Sequence, residues 1–276
     1  MSPLALCARQ EFVLALRSRW TQTFAAVFAI LSLAVAFSGY VLSGGHGAQD
    51  FARTAASLVQ LVLLLVPLTA LVGGVLAFVP EPGAAELLYS QPLPRHAVLL
   101  GRMLGLLAAL LLAQAIGFGA AGAVVMAQSG GEGAGGFLML GLGGAILTAV
   151  FLGLAALLSS GGNRTRRPRA LALALVVWFA SVLLFDVVAL GCASLLPSGQ
   201  ASRLLITAVL LNPVDAVRTG ALLGTEGTTA FGSASLAFFR FTHGEAGAGM
   251  WLGASLLLWM VLPVVGASLR LRRADL

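Results

Sequence analysis

The chain contains no lysine, so all 16 of its basic side chains are arginines, and Lys, Arg, Asp and Glu together make up only 9% of its 276 residues. So few charges cannot coat a soluble body of this size. With 59% hydrophobic residues and a mean hydropathy of +0.99, a soluble globular domain is excluded and an integral membrane protein is expected. Cysteine is nearly absent too. Cys7 and Cys192 lie too far apart to make a framework or a metal pair, and they leave the redox compartment open. There is no Walker sequence, no His-Glu-x-x-His run and no Ser/His/Asp arrangement, so the chain brings no recognisable ATP site or hydrolytic centre and is not expected to be an enzyme. His46 and His243 are isolated, and no metal site is expected.

What fills the chain instead is a series of long uncharged runs. No charge occurs between Arg19 and Asp50, Arg53 and Glu81, Arg102 and Glu132, Glu132 and Arg164, or Glu245 and Arg270, and Asp186 alone interrupts Arg169 to Arg203. Each run exceeds the roughly 20 residues a helix needs to cross a ~30 Å hydrocarbon layer. Helices are favoured because lipid cannot satisfy open backbone groups, and the runs are far longer than the alternating strands of a barrel. The expected fold is therefore all-α, with six transmembrane helices near residues 20–43, 56–79, 99–127, 137–159, 170–195 and 250–269. With the N-terminus in the cytoplasm, twelve arginines fall on the inner side, and Arg53, Arg203, Arg218 and Arg240 fall on the outer side. That asymmetry places both termini in the cytoplasm, and it accounts for the net charge of +6 without any nucleic-acid partner.

Ahead of the first span, residues 3–19 mix Leu4, Leu6, Phe12, Val13 and Leu16 with Arg9, Glu11, Arg17 and Arg19, the pattern of an amphipathic helix on the inner surface. A signal peptide is disfavoured, because the apolar run starts only after Trp20 and lacks a small-residue cleavage site. Leu4-Ala5-Leu6-Cys7 imitates a lipoprotein box without the hydrophobic stretch such a box follows. Span two carries Pro67 and Gly73-Gly74, read either as a bend or as a tolerated proline. Gly101-Arg-Met-Leu-Gly105, Gly141, Gly143, Gly144, Gly153, Gly249 and Gly253 read as small-residue faces where helices approach closely. Gly117-Phe-Gly119-Ala-Ala-Gly122 matches the dinucleotide fingerprint, but no strand precedes it, so the match is rejected.

Between spans two and three lies a short polar interruption, Val79 to Arg95, fenced by Pro80/Pro82 and Pro92/Pro94. The prolines confine any helix to about three turns, and Ala84 to Gln91 is predicted as that helix, with Glu81 and Glu86 near its positive end and Leu87 and Leu88 on an apolar edge. Either it docks another protein or it is a solvated turn. A second inner loop, Gly161 to Arg169, carries four arginines, for anionic lipid or for a partner. Asp186 lies 17 residues beyond Arg169, roughly 25 Å along a helix, towards the outer leaflet. It is read as an outer gate or cargo contact, or as a structural acid partnering a nearby arginine or polar backbone. The outer segment 197–249 is predicted to hold two short helices broken at Asn212-Pro213, on the outer interface or re-entrant, with Asn212 as cap and Asp215 in the first turn. Phe231, Phe238, Phe239 and Phe241 follow and are expected to face outside, as a headgroup anchor or a docking patch.

The pattern Glu81-x-Gly83, Leu87-Leu88, Pro92, Arg95 and Gly101-Arg102 resembles the signature of ABC-2 type transporter permeases, and the resemblance covers the whole chain. Arg102 departs from it where many relatives carry lysine. Trp178-Phe179, Leu183-Leu184-Phe185-Asp186 and Leu210-Leu211-Asn212-Pro213-Val214-Asp215 with Arg218 are similar to the NosY type of permease, from nitrous oxide reductase maturation systems. The resemblance implies one transmembrane domain over 1–276: a surface helix (1–19), spans one and two (20–79), a coupling segment (80–98), spans three to five (99–195), a periplasmic segment (196–249), and span six with a cytoplasmic tail (250–276). It also implies a bacterial inner-membrane subunit that pairs with a second copy of itself, a NosF-like ATPase dimer holding ATP and Mg²⁺, and a NosD-like periplasmic protein. Glu81, Gly83, Glu86, Leu87, Leu88, Pro92 and Arg95 would couple to the ATPase, and Asn212, Pro213, Asp215 and Arg218 would meet the periplasmic partner. Such systems support copper-sulfur cluster assembly, with a sulfur species or copper as cargo. Met103, Met126, Met139, Met250 and Met260 form no thioether ladder of the kind Cu(I) favours. A generic ABC-2 exporter of lipid, drug or glycan, and a scaffold that transmits force without cargo, remain the alternatives.

Overall fold

The computed structural model describes residues 2–43, 47–79, 94–129, 134–160, 167–226 and 233–273, and every element among them is helical. α1 (Pro3–Arg17) starts on a Ser2 cap whose hydroxyl accepts the Ala5 amide at 3.3 Å, with Pro3 in the first turn where its missing N–H costs nothing. Ser18 is extended and separates α1 from α2 (Arg19–Ser43). α3 (Gly47–Phe78), α4 (Arg95–Ser129) and α5 (Ala134–Ser159) follow. α6 (Arg167–Phe179) passes through a π-turn (Ala180–Leu184) into α7 (Phe185–Ser194). α8 (Ser198–Leu211), α9 (Pro213–Glu226), α10 (Ser233–Thr242) and α11 (Glu245–Arg273) complete the chain.

Six stretches are long and apolar enough to cross a membrane: Arg19–Ser38, Thr54–Phe78, His96–Val125, Gly135–Ser159, Arg167–Ser194 and Glu245–Arg272. They match the six predicted spans to within a few residues at most ends. α8 and α9 meet at a 103° bend, so they form a hairpin rather than one straight crossing. Asn212 sits at its apex and caps α9 as predicted, its Oδ1 accepting the Val214 amide at 3.1 Å.

α3 is the most enclosed span, and the fifth span is the least. Val62, Val66, Leu71 and Val75 of α3 are sealed in the main core with Phe28, Leu110, Leu147 and Phe151. Phe28, Phe118 and Phe137 form an edge-to-face ladder across α2, α4 and α5, with ring centroids at 5.1 and 5.7 Å. Gly117 makes the ladder fit, since a Cβ there would lie 2.5 Å from the Phe28 ring, and Gly122 does the same for Phe137. Two of the three dinucleotide-like glycines, Gly117 and Gly122, are thus helix-packing residues, whereas a Cβ at Gly119 would meet nothing within 4 Å.

Gly101 and Gly105 are approached closely by α1, whose Leu4, Cys7, Ala8 and Phe12 lie where their Cβ atoms would be. Two expectations are adjusted. Gly141, Gly249 and Gly253 touch nothing within 4 Å in this chain. Phe238 does not face outwards: it is 5% exposed in a second core with Ile206, Ala216, Ala248 and Leu252, because α10 turns that side onto the hairpin and α11 and leaves Phe241 open.

Candidate functional site

Two polar assemblies stand out, one at each end of the bundle. The first lies at the end that carries α1 and the last turns of α11. A helix leaves its final carbonyls without intrahelical donors, and buried carbonyls need partners from elsewhere. At the end of α3, Arg167 of α6 donates from Nη2 to Leu76 O at 2.8 Å, and Arg102 of α4 donates from Nη2 to Ala77 O. The Nε of Arg102 simultaneously donates to Glu11 Oε2 of α1 at 2.9 Å. Glu11 is the only acid on α1 and is buried. Arg270 of α11 repeats the device at the end of α5, donating to Leu157 O at 3.2 Å. Positive groups at helix C-termini also oppose the negative end of the macrodipole. A guanidinium suits this site because its rigid fork reaches a carboxylate and a carbonyl at once, which an ammonium on a flexible stem does less well.

Farther along α3, Pro67 has no N–H for the carbonyl four residues back, and its ring crowds that turn. The neighbouring carbonyl, Leu64 O, accepts the indole N–H of Trp178 in α6 at 3.0 Å. α3 runs through Pro67 as one continuous helix. Between α4 and α5, Gln114 Nε2 donates to Thr148 Oγ1 at 2.6 Å, a buried bond that fixes two apolar helices against each other.

The second assembly surrounds the hairpin apex. Leu210 O and Leu211 O, the last carbonyls of α8, are met by Ser255 Oγ at 2.5 Å and Trp259 Nε1 at 3.2 Å, both from α11. Asn212 Nδ2 donates to Ser181 O and to Asp215 Oδ2, each at 2.8 Å. The Ser181 carbonyl is available because the Phe185 amide bonds Ala180 O, one residue farther back than an α-helix would direct it. Arg218 Nη1 donates to Asp186 Oδ2 at 2.6 Å and lies 3.0 Å from Asp215 Oδ1, the latter an ionic contact without hydrogen-bond alignment. Two carboxylates share one guanidinium, so the cluster carries a formal charge of −1. The Asp186 and Arg218 side chains are 33% and 26% exposed against 8% for Asp215, so the cluster is open on the span-five side.

Of the sequence-derived candidates, Asp186, Asn212, Pro213, Asp215 and Arg218 therefore converge on one cluster. Asp186 has an arginine partner, one of the two kinds its structural reading allowed. Glu81, Gly83, Glu86, Leu87, Leu88 and Pro92 lie outside the described residues, and Arg95 opens α4. Sequence reasoning missed the pairing of Glu11 with Arg102, the roles of Arg167 and Trp178, and the π-turn. A lone acid on a basic helix and a lone arginine at a membrane boundary were the available signals for the first. Among the described residues, no three His, Cys, Asp or Glu side chains gather as a metal-binding set.

An all-helical bundle with six stretches long and apolar enough to cross a bilayer defines a multi-pass membrane protein. The chain belongs to the ABC-2 family transporter proteins, whose family model matches residues 5–276. It is 36% identical over 262 residues to the probable ABC transporter permease protein NosY of Pseudomonas aeruginosa, covering 91% of this chain and 94% of that one. It is 36% identical over 274 residues to the protein of the same name from Stutzerimonas stutzeri, covering 97% of this chain and 95% of the relative. The chain is thus a NosY-like membrane permease subunit of an ABC transporter.

Proposed function

We propose that this chain is one of two identical membrane subunits of a bacterial inner-membrane ABC transporter, worked from the cytoplasm by a separate NosF-like ATPase that holds ATP and Mg²⁺. The ATPase grips the segment from Glu81 to Arg95, and a NosD-like periplasmic protein meets the hairpin end around Asn212 to Arg218. The assembly exports cargo or transmits force across the membrane in support of copper-sulfur cluster formation in nitrous oxide reductase. The arginine asymmetry supports a cytoplasmic position for the α1 end.

The observation that carries this reading is the capped end of α3. Arg102 and Arg167 hold Leu76 and Ala77 immediately ahead of the proline-fenced segment, and Arg102 also holds α1 through Glu11. A push on that segment is delivered to α3, α4, α6 and α1 together, as a lever requires. The test replaces Glu86 with Arg, or Leu87 with Asp, and co-expresses the variant with the ATPase. Membrane insertion stays normal while co-purification of the ATPase and partner-stimulated ATP turnover fall. Undiminished ATPase binding by both variants refutes the coupling assignment, and an intact reductase cluster in a strain lacking the permease removes the maturation role.

A further inference from the structure

The fifth span is built in two halves fastened to different helices. α6 is strapped to α3 at two levels, through Arg167 on Leu76 O and Trp178 on Leu64 O. α7 is fastened to the hairpin by Asp186 on Arg218. Between the halves lies the π-turn, and Ser181 within it bonds back to Val177 O and Trp178 O through its hydroxyl.

A π-turn accommodates one residue more than an α-helical turn, so all that follows it is rotated by about 100° and displaced by about 1.5 Å from a regular continuation. In a regular helix the slot opposite Arg218 falls to Phe185, and Asp186 points about 100° aside. The Asp186–Arg218 contact therefore depends on the π-turn. Asn212 stabilises that register by bonding the carbonyl it displaces, and through Asp215 it also joins the cluster the register creates. Loss of the Asn212 bond leaves Ser181 O in want of a donor, and the nearest remedy is the return of the Phe185 amide to it, which is the regular helix.

We infer that the π-turn is a two-position joint in span five, latched by Asn212, which turns a displacement of α3 and α6 into rotation of α7 and release of Asp186 from Arg218. Asn212 is thereby a positioning residue for the hairpin end. The use of the joint by ATP rests on the coupling proposed above, but the joint itself is observable without an ATPase.

The chain supplies its own probe. Cys192 lies exposed on α7, and the other cysteine is Cys7, so Cys7→Ala leaves a single thiol. In full-length protein in lipid nanodiscs, the labelling rate of Cys192 by a charged maleimide reports the phase of α7. Asn212→Ala is expected to change that rate severalfold. Deleting Leu183 removes the surplus residue, giving a regular helix with Asp186 still opposite Arg218. The parental rate is then kept, and Asn212→Ala no longer alters it. An unchanged rate in Asn212→Ala overturns the joint, as does an equal change in the presence and absence of the deletion. If the deletion fails to insert, Asn212→Gln and Asn212→Ala are compared: a change graded with loss of the donor supports the latch, and no change in either overturns it. With the ATPase bound, ATP is expected to change the Cys192 rate in the parent and not in the deletion; no change in the parent overturns the coupling of the joint to nucleotide. Failure of the ATPase to bind at all instead refutes the proposed coupling, and the Asn212 comparison still decides the joint.

Discussion

Replacing Arg102 with Met tests whether α1 is bolted to the root of α3. The substitution keeps an unbranched side chain of similar reach but removes both donors, leaving the Glu11 carboxylate, itself only 7% exposed, without its counter-ion and Ala77 O without its cap. Breaking one side of a buried ion pair costs about 3–5 kcal/mol. Removing the carboxylate as well, in Glu11→Gln with Arg102→Met, relieves the stranded charge but not the lost cap, and a hydrogen bond from a charged donor contributes about 1.5–3 kcal/mol. The double variant should therefore be more stable than Arg102→Met alone. Glu11→Gln alone should be the mildest, because Arg102 keeps Ala77 O and is partly solvated. The assay is a double-mutant cycle on detergent-purified protein, reading the denaturant midpoint of each variant. Costs that simply add, with the double variant the least stable of the four, refute the reasoning.

At the hairpin end, Arg218→Leu strands two carboxylates and is expected to cost about 3–5 kcal/mol, whereas Asp215→Asn, which keeps the shape and removes the excess charge, should cost under about 1.5 kcal/mol; thermal loss of monodispersity ranks the two. Gly105→Val drives a side chain into the backbone of α1 at Ala8 and Phe12, so trypsin should cut at Arg9 and Arg17 faster in the variant than in the parent. Gly119→Ala meets nothing within 4 Å, and the gain in helix propensity should raise the denaturation midpoint by the equivalent of about 0.5–1 kcal/mol. His243 holds φ at 61° where α10 turns into α11, so His243→Gly should stabilise by about 1 kcal/mol in the same assay.

The spans were legible because hydrocarbon tolerates so little charge: long intervals poor in arginines and acids mark them, and most boundaries fall within a few residues of the structure. The last span outgrew its predicted limits at both ends, reaching Glu245 and Arg272, since an acid in the first turn and arginines in the last sit comfortably at interfaces and oppose the helix dipole. The apex at Asn212-Pro213 was legible too, because cap and proline preferences are local. The partners of the arginines were not. Which carbonyl Arg102, Arg167 or Arg270 reaches depends on how distant helices stack, and a charge count can say only which side they favour. The π-turn leaves no mark in Ala180 to Leu184, because the residue that stabilises it, Asn212, lies 31 positions from the carbonyl it bonds. Phe238 was misplaced because a cluster of phenylalanines in a polar segment looks exposed until the face of α10 is known.

The pairing of Glu11 with Arg102 spans 91 positions of chain. At ordinary synthesis speeds of about 5–20 residues per second, the carboxylate is made some 5–18 seconds before the guanidinium that neutralises it. During that interval α1 lacks the face of α4 on which it packs. The third span brings both that guanidinium and the Gly101 and Gly105 face on which α1 packs, so α1 settles only after two spans that follow it in the chain.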